Sequence, residues 1–155
     1  MPFRISALPK SQFEPFFAMS AEELASHGAL RQTATKKPGV PCRISLTDAE
    51  VGEEVLLLHY EHLSVDTPFR SSHAIYIRPA AGQAQPGPNE VPDFFRSRVL
   101  SLRAFDAGGM MVEADLADGQ ELEPAIERLL AGAQVAYLHL HFAKPGCYAA
   151  RVDRV

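Results

Sequence analysis

Tryptophan is absent, and Cys42 and Cys147 are the two cysteines among 155 residues. They form no C-x-x-C pair, so neither a zinc knuckle nor a redox dithiol is indicated. In a reducing compartment both are expected to be free thiols, with at least one buried. Positive charge is never concentrated. The longest basic run is Lys36-Lys37 and the net charge is −4. The cationic stripe that neutralises phosphate backbones is therefore missing, which excludes nucleic acid as a partner. No apolar stretch reaches the length of a signal-peptide core or a membrane span, so the expectation is a cytoplasmic protein without membrane contact. The G-x-G-x-x-G and Walker fingerprints for phosphates are lacking, as is the G-x-S-x-G nucleophile elbow.

What the chain does contain is enough apolar material for a core. Hydrophobic residues make up 46% of it, and nine Phe and four Tyr supply the aromatic bulk. That composition is too apolar for a disordered chain, and the length suits one domain spanning 1–155. The clearest local signal is Ser20 with Glu23 three residues on, a capping box, with Met19 placed to staple against Leu24. This helix should end near His27, with Gly28 taking the left-handed position after it. Alternation predicts a half-buried strand at Cys42–Leu46, and the apolar run Val55–Tyr60 a strand covered on both faces. A third strand is predicted at His73–Arg78. The Pro/Gly-rich stretch 79–91 reads as a mobile loop.

Pro92 opens a short predicted helix to about Arg98. A hairpin follows, Leu100–Phe105 with Met110–Leu116, turning at Asp106–Gly109. Leu122, Ala125, Ile126, Leu129 and Leu130 mark the apolar stripe of an amphipathic helix, which Gly132 ends. Two strands, Val135–Phe142 and Cys147–Val155, complete an α+β fold of about seven mostly antiparallel strands and two or three short helices.

Six histidines make imidazole the obvious chemistry. On a strand, Tyr137, His139 and His141 share one face, while Leu138, Leu140 and Phe142 line the core face. Two imidazoles at i and i+2 can share a divalent metal, with His59, His62 and His73 as candidate third ligands, of which His62 is the one expected to converge with them. Cys147 forms a thiol–imidazole couple with His141 only if the intervening loop has an odd length. A two- or four-residue loop carries the thiol away from His141, so three registers stay open. Arg70, with Ser72 and His73, could receive a carboxylate or phosphate, because guanidinium binds such groups in a bidentate fashion. No residue is assigned a catalytic role. Two readings follow: a His-lined polar pocket for a small molecule, with or without a metal cofactor, and a non-catalytic module binding an anion or a protein partner through Arg70.

Several blocks carry a likeness to a known family: Pro41-Cys-Arg-Ile-Ser-Leu46; Val55-Leu-Leu-Leu-His-Tyr-Glu-His62 with Thr67-Pro-Phe-Arg70; Leu102-Arg-Ala-Phe-Asp106 with Gly109-Met-Met111; and His141-Phe-Ala-Lys-Pro-Gly-Cys-Tyr-Ala-Ala-Arg151. Together they resemble the bacterial family called domain of unknown function 1203, over nearly the whole chain. The resemblance implies a complete, stand-alone member. It brings no activity, cofactor or catalytic residue with it.

Overall fold

A computed structural model describes residues 2–155. Among them are eight strands in two antiparallel sheets and three α-helices, an α+β fold dominated by sheet. The chain divides into two compact units. Of the described residues, the first comprises 2–6, 61–72 and 85–155; the second comprises 7–60 and 73–84. None of the helices is long and apolar enough to cross a membrane.

The second unit is built on a three-stranded sheet. Its order is β2 (Leu30–Thr33), β3 (Glu54–Leu63) and β4 (Ser71–Ile77). β3 and β4 both run past the border, so the far end of their hairpin, 61–72, counts with the first unit. Helix α1 (Glu14–Phe17) precedes α2 (Ala21–Ser26), where the capping box forms as expected. Ser20 Oγ accepts from Glu23 N at 3.1 Å, Glu23 Oε1 accepts from Ser20 N at 3.2 Å, and Gly28 adopts φ 70°. The strand predicted at Cys42–Leu46 is instead a tight turn. Leu46 N donates back to Cys42 O, and Leu46 itself sits at φ 52°. Its apolar side chains are buried all the same, so alternation there marks burial and not extension.

The first unit holds the five-stranded sheet, in the order β1 (Phe3–Ser6), β8 (Tyr148–Arg154), β7 (Tyr137–Phe142), β5 (Val99–Phe105) and β6 (Met111–Asp118). Leu100, Leu102 and Ala104 of β5 lie opposite Phe142, Leu140 and Leu138 of β7. Leu138 and Leu140 in turn lie opposite Val152 and Ala150 of β8. This row is fully buried apart from Phe142 at 3% exposed, and it forms the core face. Helix α3 (Leu122–Leu130) packs against β5, β6 and β7, and all five residues of its predicted stripe are buried. Arg154 caps the end of α3, donating Nε to Leu130 O at 3.1 Å and Nη1 to Val135 O at 2.6 Å, where a cation suits the helix dipole. The helix predicted from Pro92 is a single 3-10 turn, Asp93–Phe95.

The stretch 79–91 has no regular structure, but hydrogen bonds fasten it. Within the second unit, Ala84 N donates to Ile44 O at 2.9 Å. Within the first, Phe3 N donates to Asn89 Oδ1 at 3.1 Å and Asn89 N to Phe3 O at 2.8 Å.

Candidate functional site

The opposite face of the five-stranded sheet carries the histidines. His139 lies between Arg103 of β5 and Arg151 of β8, and His141 lies between Ser101 and Tyr148. Both imidazoles are buried, at 3% and 1% exposed, a depth polar side chains rarely reach without a reason. His62, from the hairpin end 61–72, joins them. Its ring centroid is 4.9 Å from that of His141 and 6.1 Å from that of His139. Thr67 Oγ1 anchors the same hairpin end to the Gly109 carbonyl at 3.0 Å, in the β5–β6 turn. The three imidazoles singled out in the sequence thus come together from segments far apart in the chain.

Tyr148 completes the group and was not singled out. Its ring stacks on His62 at 5.4 Å and meets His139 edge-on at 5.0 Å and His141 at 5.9 Å. A β-bulge lies next to it in β8. Leu140 pairs with Ala150 but His141 pairs with Tyr148, leaving Ala149 as the extra residue of β8. Counted back from Arg151, strict alternation would give the histidine face to Ala149; the bulge lets Arg151 and Tyr148 share that face, and no sequence signal marks it.

The connecting loop is the four-residue one, Ala143–Gly146. Phe142 N donates to Cys147 O at 2.9 Å, and Gly146 N donates to Phe142 O at 2.8 Å. Cys147 is buried, and the residue paired with His141 is Tyr148, the next one along. His141 Nδ1 lies 3.0 Å from Gly146 O. A carbonyl only accepts, so Nδ1 carries a proton in this contact.

His139 Nδ1 is buried without a hydrogen-bond partner among the described residues. Burial first, and then the positive charge available on His141, His62, Arg151 and Arg103, depresses this imidazole to about 3. It is therefore uncharged at neutral pH. Phe105 and Tyr137 pack on its other sides at 5.3 and 5.4 Å. As oriented, no group of three or more His, Cys, Asp or Glu side chains among the described residues is set to hold a metal ion. An open groove of about 550 Å³ lies elsewhere in this unit, between β6 and the end of α3, and none of the histidines lines it.

The second candidate set is dispersed. Arg70 is exposed and paired with Glu61, Nε to Oε1 at 2.7 Å, so its guanidinium already faces a carboxylate. Ser72 is exposed, and His73, its neighbour on β4, faces the other side of the strand. His73 Nδ1 lies 3.0 Å from the Ala74 carbonyl.

A family model described as protein of unknown function, DUF1203, matches residues 39–154, a span that includes His62, His139, His141 and Tyr148. No curated protein and no solved structure matches the chain.

Proposed function

Because the chain belongs to the DUF1203 family, whose description names no reaction, we propose a function from the site alone: the protein binds a small polar molecule at the centre formed by His62, His139, His141 and Tyr148. The observation that carries this reading is the partnerless, buried Nδ1 of His139. An unmet buried polar atom costs about 1–3 kcal/mol, and sequences keep such groups mostly where function needs them. An imidazole near pKa 3 is too weak a base to take a proton at neutral pH, so its role is to give or receive a hydrogen bond.

A thermal-shift screen of small acids, amides and sugars against wild type and His139→Phe tests this reading. The variant should melt no lower than wild type, since it loses an unsatisfied polar atom. A compound that stabilises wild type should leave the variant unmoved. A variant that is clearly destabilised and still responds to the compound would mean that His139 is packing and nothing more. One tightly held zinc, iron or nickel per purified chain, found by elemental analysis, would replace this reading with a metal centre.

A further inference from the structure

The histidine face grades from buried to open across the sheet. His139 and His141 on β7 are buried, their neighbours Arg103 and Ser101 on β5 are half-buried, and Ala114 and Leu116 on β6, opposite these two, are exposed. Leu116 is 65% exposed, and Val99, two residues before Ser101 on the same face, is 50% exposed. Arg103 differs from the other arginines in what its guanidinium meets: Arg43, Arg98 and Arg154 donate to backbone carbonyls, and Arg4 is exposed. Arg31, Arg70, Arg78, Arg96, Arg128 and Arg151 all pair with carboxylates. Arg103 pairs with none among the described residues, and its one hydrogen bond is a long one, Nε to Ser101 Oγ at 3.4 Å.

Two acids that the register places on this face are engaged elsewhere. Asp118 accepts from Gln120 N at 2.9 Å, and Asp153 holds Arg151. Burial lowers the Arg103 pKa with no carboxylate to oppose it. A half-buried guanidinium without a counter-charge is unfavourable, and it becomes favourable when an oxyanion takes its fork. The surrounding imidazoles are other donors and acceptors, but His139 supplies no charge. One positive charge therefore matches one negative charge, which suits a carboxylate better than a phosphate dianion.

We propose that Arg103, with Ser101 beside it, takes the carboxylate of a small organic acid whose apolar body lies along Leu116 and Val99. This rests on the reading of the histidine centre as a ligand site, and names the class of ligand.

Calorimetric titration of the full chain at neutral pH, with hexanoate, hexanol and inorganic phosphate as probes, tests it. Hexanoate should bind at least about 10-fold more tightly than hexanol, the scale of a charge-assisted fork. Arg103→Gln should lose that preference, and Arg103→Lys should keep part of it, because the charge remains and the fork does not. Arg103→Gln should not melt below wild type, since it removes a desolvated charge. Absence of hexanoate binding by wild type, unchanged binding by Arg103→Gln, or a preference for phosphate would overturn the assignment. The two readings fail separately. Hexanoate bound by His139→Phe but not by Arg103→Gln would leave the carboxylate site standing without the histidine centre. A ligand response lost in His139→Phe but intact in Arg103→Gln would do the reverse.

Discussion

Cys42 Sγ accepts the backbone N–H groups of Ile44 and Ser45, each at 3.4 Å, and of Arg78 at 3.2 Å. In sequence this thiol is one more small buried residue. Its work as an acceptor exists only because the chain turns around it, and turn geometry cannot be read from residue identity. Sulfur is a weak acceptor, but three donors depend on it. Cys42→Ala should therefore lower stability by about 1–2 kcal/mol in urea titration, and Cys42→Ser should recover part of the loss through its hydroxyl. His139 belongs at the same scale with the opposite sign. Its replacement by Phe removes an unmet group, which is why stability and binding should separate in that variant.

Among the elements, the legible ones were those whose signals are local. The α2 capping box needs two side chains three residues apart, and the α3 stripe needs one helical face. The β7 alternation is equally self-contained, and it brought His139 and His141 to one side correctly. What could not be read were departures from period: the turn at Cys42–Leu46, and the Ala149 bulge that puts Arg151 and Tyr148 on one face. His62 was a candidate only as a histidine at the end of an apolar run; its meeting with β7 depends on where a distant hairpin ends. Arg103 was passed over because its meaning lies in a missing partner. Gly119 marks another junction that depends on tertiary approach. A Cβ there would lie 1.8 Å from the Phe95 carbonyl oxygen. Gly119→Ala should cost at least about 3 kcal/mol by chemical denaturation, because the obstacle is backbone and cannot rotate aside.

For the whole molecule, the depressed His139 makes stability depend on acid. Its folded value of about 3 lies below the ordinary 6.5, so the unfolded chain takes up the proton first. The contribution is complete above about pH 6.5 and is lost progressively as pH falls toward 3. At pH 5 this group alone should account for about 2 kcal/mol of lost stability. Urea midpoints measured from pH 7 to 5 should fall more steeply for wild type than for His139→Phe. His62 and His141, which face the same ring, and the guanidinium groups of Arg103 and Arg151 oppose protonation from every neighbouring element. The first unit is also discontinuous in sequence: β1 pairs with β8, while His62 lies 77 positions before His139. During synthesis, then, β1 emerges well ahead of β8 and has no partner until that strand is made. Until β8 has left the ribosome, β7 keeps an open edge and its imidazoles lack Tyr148. The centre is thus assembled only once β8 has been made, and a chain interrupted before β8 lacks both Tyr148 and the strand that borders the imidazoles.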